Sequence, residues 1–184
     1  MGFAITDGKG SGKDVGVSSD NRLDVNSKMG TRAYYISRDK FDTYSWTAVS
    51  YDYAAADTVL LVCNNSTTQN LYITKVYVWA DVPTQFKIHT PAYPTLSGTA
   101  VVGLNYNRTS GKLANATALA NETGNTFVAA NTLLTLRNNE ATADEFGVQW
   151  DFEGAVILGY HNSIAVDVVA EGAAVECTIV GFFE

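Results

Sequence analysis

A glycine- and lysine-rich stretch near the N-terminus is the first candidate for chemistry. Residues 8–14 read GKGSGKD, which superficially resembles a loop that binds nucleotide phosphates. That motif needs a glycine five residues before its Gly-Lys pair and a Ser or Thr directly after the pair. Here Asp7 stands before Gly12 and Lys13 at that spacing, and Asp14 follows them. We therefore interpret the stretch as a flexible tether and expect no cofactor.

The two histidines, His89 and His161, are the next candidates, because histidine is a frequent general base and metal ligand. Neither stands in an HxH or HExxH pattern, so a transition-metal site would have to be assembled from distant residues. A Ser-His-Asp arrangement stays open, but no GxSxG nucleophile elbow accompanies it. His161 lies in a predicted turn and His89 at a predicted strand end before Pro91. We expect neither histidine to be catalytic or to bind a metal, and we predict that the chain is not an enzyme.

Carboxylates cluster around the stretch FGVQW, and they are Asp144, Glu145, Asp151 and Glu153. Carboxylates beside aromatic rings are typical of calcium sites and of glycosidases. The spacing DEFGVQWDFE does not match the Asp-x-Asp-x-Asp-Gly calcium loop. Charged flanks that protect a strand edge and keep the protein soluble are the favoured interpretation.

The charge and the cysteines limit the partners and the compartment. The formal net charge of −7 argues against binding to nucleic acid or to an anionic membrane surface. No apolar run approaches the roughly 18 residues of a membrane span. Cys63 and Cys177 lie inside apolar runs, and the sequence does not start with a charged-then-apolar signal peptide. We expect two buried free thiols in a protein made in a reducing cytoplasm.

Strands must position these residues, because the chain from residue 33 onward is rich in aromatic and β-branched residues that alternate with polar ones. Nine or ten strands are predicted. Residues 57–63 and 69–80 have the composition of a hairpin, and the runs 155–160, 163–169 and 173–183 that of an antiparallel meander. A short helix is expected only through Leu113, Ala116, Ala118, Leu119 and Ala120. The predicted fold of residues 33–184 is an all-β, jelly-roll-like antiparallel β-sandwich.

Residues 1–32 differ in composition from the rest of the chain, because Gly, Ser, Asp, Asn and Lys dominate and apolar residues are isolated. Such a segment has little to bury, so we predict an extended N-terminal arm that becomes ordered on a partner. Its short apolar alternation would add a strand to a sheet edge, and its cations would meet acidic patches. The predicted partner-binding residues are Lys9, Lys13, Val15, Val17, Arg22, Leu23 and Val25.

Three stretches resemble virion structural proteins of tailed bacteriophages. They are TDGKGSGKDVGVSSDNRLDV, LNYNRTSGKLANATALANETGN and GAVILGYHNSIAVDVVAEGAAVECTIVGFFE. The resemblance implies a jelly-roll capsid decoration, or cement, protein that forms homo-oligomers, with a trimer favoured over a dimer. It further implies binding to the major capsid protein, no catalytic residues, and a place on the capsid surface of a virion assembled in the host cytoplasm.

Two other functions stay open. A tail, neck or fibre-attachment protein would have the same kind of strand-rich sequence as a decoration protein. The two would differ in the number of copies per particle, which is high for a decoration protein and low for most tail parts. A carbohydrate-binding or carbohydrate-hydrolysing sandwich would use Trp79, Trp150 and Tyr160 for stacking, with Asp151 or Glu153 as the acid.

Overall fold

The computed structural model describes residues 31–50, 58–122, 127, 129–138, 147–169 and 174–184. The predicted partner-binding residues of the arm therefore lie outside the described residues, as do Asp144 and Glu145. In the described part, a short helix α1 (Arg32–Tyr35) continues into a π-helical turn, Ile36–Lys40, and a 3₁₀ turn occupies Ala129–Asn131. None of these helices is long and apolar enough to cross a membrane.

Strands make up most of the described chain. They are β1 (Thr43–Ser50), β2 (Thr58–Asn64), β3 (Leu71–Ala80), β4 (Thr84–His89), β5 (Thr99–Val101), β6 (Leu104–Asn105), β7 (Ala116–Glu122), β8 (Thr132–Asn138), β9 (Val148–Leu158), β10 (Ser163–Val168) and β11 (Val175–Phe183). The first sheet has the order β6-β1-β11-β3-β9, and the second has the order β5-β7-β2-β10-β4-β8. All the pairings are antiparallel.

The two sheets face each other as a sandwich, which confirms the predicted fold class. Leaving out β5 to β7, the remaining strands alternate between the sheets, except at the step from β4 to β8. Eight strands wrapped over two sheets in this way form a jelly roll. Strands β5, β6 and β7 lengthen both sheets at the side of β1 and β2.

The predicted hairpin and meander are wrong, because the strands involved belong to opposite sheets. Strand β2 lies in the second sheet and β3 in the first, and β9, β10 and β11 alternate in the same manner. The buried Asn64 redirects the chain after β2: its side-chain amide donates to the carbonyl oxygens of Leu158 at 2.8 Å and Gln69 at 3.0 Å. The Asn64 side-chain oxygen accepts from the Ser66 N–H at 2.8 Å. These hydrogen bonds pair the polar groups of the turn, and the chain then crosses to the other sheet instead of returning beside β2.

The expected helix is also wrong, since residues 116–122 form β7 and pair with β2. Pairing on both sides, with β2 and with β5, outweighs the helical preference of an alanine-rich segment that Asn and Thr dilute. Conversely, residues 33–40, which were expected to belong to the strand-rich part of the chain, are helical.

The main core lies between the sheets, and its largest fully buried side chains include Trp46, Tyr44, Phe86 and Phe183. The second sheet is also buried on its other side, where Leu61, Cys63 and Ala165 pack with Phe127. Every residue of β2 is buried, which explains its almost continuous apolar sequence. The first sheet, by contrast, shows a partly exposed outer face.

A buried carboxylate anchors the long connection between β6 and β7. Asp42 is 3% exposed, forms an ion pair with Lys112 and accepts a 3.1 Å hydrogen bond from the Tyr44 hydroxyl. The Gln69 side chain donates to the same carboxylate at 3.3 Å. Burial and this carboxylate raise the pKa of Tyr44 above its ordinary range. The contacts of Asp42 with Lys112, Tyr44 and Gln69 thus have a structural role, which is to hold the connection between β6 and β7 against the sandwich.

Candidate functional site

The outer face of the first sheet carries the side chains that alternate with the buried core residues. Antiparallel register aligns them in rows across neighbouring strands. We call the following residues the outer-face rows: Ser45, Val180, Lys75 and Asp151; Thr47, Thr178, Tyr77 and Gln149; and Val49, Glu176 and Trp79. A further row beside them pairs Phe182, Tyr72 and Ile157, with the rings of Tyr72 and Phe182 stacked at 5.1 Å.

The centre of this face is uncharged and carries one aromatic side chain, Tyr77. Tyr77 is 38% exposed there, and Val49 at the margin is 55% exposed. The hydroxyls of Thr47 and Thr178 share a 3.0 Å hydrogen bond across the strands. The described rows thus place an uncharged row, in which Tyr77 stands among polar side chains, between rows that hold the charged groups.

The ion pair of the face involves one of the carboxylates considered as a catalytic acid. Asp151 lies 3.2 Å from Lys75, and it also accepts a 2.9 Å hydrogen bond from the Glu153 N–H. The backbone N–H and, secondarily, the lysine lower the pKa of Asp151, while the carboxylate raises the pKa of Lys75. A general acid in glycoside hydrolysis needs the opposite shift, so the environment of Asp151 argues against that role.

The three predicted sugar-stacking residues do not come together. Trp79 is in the outer-face rows, whereas Trp150 pairs with the buried Val76 and therefore lies on the core side of the edge strand β9. Tyr160 follows the far end of β9, roughly 25 Å along the strand from Trp150. These three stacking candidates therefore do not share one surface.

Tyr160 instead belongs to a different group of rings, which sequence analysis missed. The centre of its ring lies 4.0 Å from that of the His161 ring, and the centre of the Tyr93 ring lies 5.6 Å from the same imidazole. We call Tyr93, Tyr160 and His161 the loop ring cluster. The only trace of Tyr93 in the sequence is its position between Pro91 and Pro94, which indicates an irregular loop but not its neighbour.

The other histidine, His89, belongs to a chain of polar groups buried on the outer side of the second sheet. Thr58 of β2 donates a 2.9 Å hydrogen bond to Asp167 of β10, and the other oxygen of Asp167 lies 3.0 Å from Nε2 of His89 on β4. Nδ1 of His89 lies 3.2 Å from the hydroxyl of Thr132 on β8. Each of four adjacent strands thus contributes one residue to this buried polar chain.

The order Thr-His-Asp resembles that of a nucleophilic triad, but the burial does not suit one. The His89 side chain is 3% exposed, and the ring of Phe127 stacks on it at 4.8 Å. The Nε2 atom is close to Asp167 without being directed at it as a hydrogen-bond donor. A substrate would have to displace Phe127 to reach the imidazole, so we interpret the chain as a structural link across the sheet.

Metal and thiol chemistry receive no support from the described residues. No three His, Cys, Asp or Glu side chains in the described ranges are grouped as metal ligands. Cys63 and Cys177 are free and buried, which confirms the prediction for the thiols. Burial raises the pKa of Cys63 to about 11 and that of Cys177 further still. Both thiols therefore stay protonated and unreactive in the folded protein at neutral pH.

Comparisons of the chain with protein-family models, with curated proteins and with solved structures gave no significant match. The geometry on which a function can be built consists of the outer-face rows and the loop ring cluster. Most of their side chains are at least partly exposed, although Val180 of the rows is buried, and both groups are held by strands or by hydrogen-bonded turns.

Proposed function

We propose that this chain is a capsid decoration protein of a bacteriophage, which binds subunits of the major capsid protein and stabilises the shell. The single observation that supports this function best is the set of outer-face rows. The likeness of three stretches to phage virion proteins adds the identity of the partner, which the geometry of one chain does not contain.

The arrangement of the rows suits a protein partner. The middle row, Thr47, Thr178, Tyr77 and Gln149, has no charge, and the charged groups stand in the rows to either side. Protein interfaces are depleted of charge at their centre and polar at their rim, and Tyr is among the residues that contribute most to binding. Lys75 and Asp151 already neutralise each other, so covering them costs less than covering two separate charges.

The size of the face also matters. Four strands spaced about 4.8 Å apart, over roughly eight residues at 3.3 Å, present on the order of 500 Å². A standard interface buries about 800 Å² on each partner, so one copy held by this face alone would bind weakly. Several copies linked as a homo-oligomer would bind the shell together and gain avidity. A trimer, as the resemblance implies, fits this requirement, and the predicted arm residues would add further contacts.

We assign the rows to a capsid subunit rather than to a second copy of this chain. The resemblance to phage virion proteins names the major capsid protein as the partner, and the uncharged middle row suits a contact with such a subunit. Self-association then uses another surface, and the two contacts can be disrupted separately.

The test uses particles from a phage that lacks this protein, to which purified full-length variants are added back. Tyr77→Glu and Val49→Lys place a charge in the rows; each new charge lies near an opposite one, Lys75 or Glu176, which favours folding. We expect these variants to sediment with particles at least about tenfold more weakly than the wild type. Leu113→Glu, at a residue 78% exposed outside the rows, is the matched control and should bind normally.

Two results would contradict the proposal. Wild-type protein that fails to bind the particles, or row variants that bind as well as the wild type, would show that the rows do not dock on the shell. The number of copies per particle distinguishes a decoration protein from a tail, neck or fibre-attachment protein, because the latter would be present in few copies at one vertex. Light scattering of the same variants reports the oligomeric state independently of particle binding.

A further inference from the structure

The loop ring cluster lies at one end of the sandwich, away from the outer-face rows. Tyr93 precedes β5, and Tyr160 and His161 form the turn between β9 and β10. Tyr93 is 72% exposed and Tyr160 is 47% exposed, so two large rings stand in water beside a third. Loops at the end of a rigid β-sandwich are a common location for binding residues. Rings this exposed contribute little to the core, so core packing does not explain why large aromatic residues stand at these positions.

The backbone beneath the rings is held in an unfavourable conformation. Tyr93 has φ of 52°, a left-handed conformation that residues with large side chains rarely adopt, and His161 has φ of 58° in the same region, where histidine is more frequent. Such strain persists only where the surroundings fix it, and it is concentrated at functional sites. Here the Tyr93 N–H donates to the carbonyl oxygen of His161 at 2.8 Å, and the His161 N–H donates to that of Asn64 at 2.8 Å. Asn64 is fully buried, so the two loops are tied to the core.

The rings therefore form a preformed surface rather than a mobile one. The planes of Tyr160 and His161 are inclined by 40°, and those of Tyr93 and His161 by 63°. The cluster thus combines the exposed rings and phenolic hydroxyls of Tyr93 and Tyr160 with the imidazole of His161. Preorganisation of this kind lowers the entropy that a ligand must overcome on binding.

We infer that the loop ring cluster is a carbohydrate-binding site that takes the pyranose ring of a surface glycan. A pyranose has an apolar C–H face for an aromatic ring and hydroxyls at its rim for the tyrosine and histidine groups. The described contacts of the three rings include no charged partner, which suits a neutral ligand.

This inference does not depend on the capsid-binding proposal. The outer-face rows include Gln149 near the start of β9, and Tyr160 follows the end of that strand, roughly 25 Å away. A copy bound to a particle through the rows would leave the cluster available for a glycan. The two functions can therefore fail separately.

The test is binding of the full-length protein to an array of bacterial surface polysaccharides and other glycans. Hits are then measured by saturation-transfer NMR with the methyl glycoside of the bound sugar. Tyr93→Asn removes a ring while supplying a residue that tolerates positive φ, and Tyr160→Ala removes the second ring. We expect each variant to lose at least about tenfold in affinity with an unchanged melting temperature. Tyr93→Phe keeps the stacking face and should retain most of the affinity.

Tyr106→Ala is the matched control, because Tyr106 is 54% exposed but lies outside the cluster, and its removal should leave sugar binding unchanged. Wild-type protein that binds no glycan on the array overturns the inference. So does sugar binding that survives both Tyr93→Asn and Tyr160→Ala. Binding of tetramethylammonium in preference to any sugar would overturn the assignment of the ligand class.

Discussion

Replacement of Asp167 tests the interpretation of the buried polar chain. Asp167 is 6% exposed, accepts the 2.9 Å hydrogen bond from Thr58 and lies 3.0 Å from His89. Asp167→Ala removes a hydrogen bond to a carboxylate, a loss of about 1.5–3 kcal/mol, and leaves the buried hydroxyl of Thr58 unpaired, at about 1–3 kcal/mol. Allowing for partial relaxation of the site, we expect unfolding to become easier by about 3–5 kcal/mol.

The assay is urea and thermal unfolding followed by circular dichroism. For a domain of this size a change of 1 kcal/mol shifts the melting temperature by about 2–4 °C, so Asp167→Ala should melt about 10 °C lower. Asp167→Asn keeps an acceptor for Thr58 and should lose about half as much. Thr47→Val is the matched control for loss of a hydroxyl, because the Thr47–Thr178 hydrogen bond is solvent-exposed and should contribute less than about 0.5 kcal/mol.

A double replacement distinguishes a structural link from a functional one. If the chain only connects strands, His89→Leu combined with Asp167→Leu removes both polar partners together and should recover much of the stability lost by Asp167→Ala. Thr58→Val with Asp167→Asn should show a coupling energy of about 0.5–3 kcal/mol. The reasoning is refuted if Asp167→Ala changes stability by less than about 1 kcal/mol, since a carboxylate this buried could not then be a bonded member of the sheet.

Two further predictions concern the core. A Cβ at Gly103 would lie 2.5 Å from Nε1 of Trp46, so Gly103→Ala should destabilise the protein by about 1–3 kcal/mol in urea unfolding, whereas Gly111→Ala, with nothing within 4 Å, should not. Equal effects of the two substitutions would contradict the close approach. Folding raises the thiol pKa of Cys63 to about 11 and that of Cys177 more, so stability should be constant below pH of about 8.5 and fall as pH rises above it, where only the unfolded thiols ionise. Iodoacetamide at pH 8 should label both cysteines only after denaturation, and rapid labelling of the native protein would refute their burial.

The all-β class could be read from the sequence because it depends on local patterns. Alternation in segments such as 175–183 shows which side chains share a face, and the β-branched and aromatic content favours extended backbone. The apolar surroundings of Cys63 likewise indicated a buried thiol. The sequence also showed that the residues around Lys13 do not have the spacing of a phosphate-binding loop, because that motif is a local one.

Strand partners could not be read in the same way. Period-two alternation is identical whether β2 turns back as a hairpin or crosses to the other sheet, and the hydrogen bond from Asn64 to Leu158 joins residues far apart in the chain. The burial of the outer face of the second sheet could not be predicted from the sequence either, for the same reason. Nothing near Leu61 in the sequence indicates that Phe127 packs on it.

For the functional side chains, too, the sequence gives the residue types, and the tertiary structure gives their neighbours. Sequence analysis named Tyr160, His89 and Asp151 as side chains of interest, because residue type is a local property. Only the tertiary structure placed Tyr93 beside His161, put Asp167 next to His89, and paired Asp151 with Lys75 in a way that lowers its pKa. A side chain acquires its chemistry from neighbours brought by other strands, and in a sandwich whose consecutive strands alternate between sheets those neighbours are rarely close in sequence.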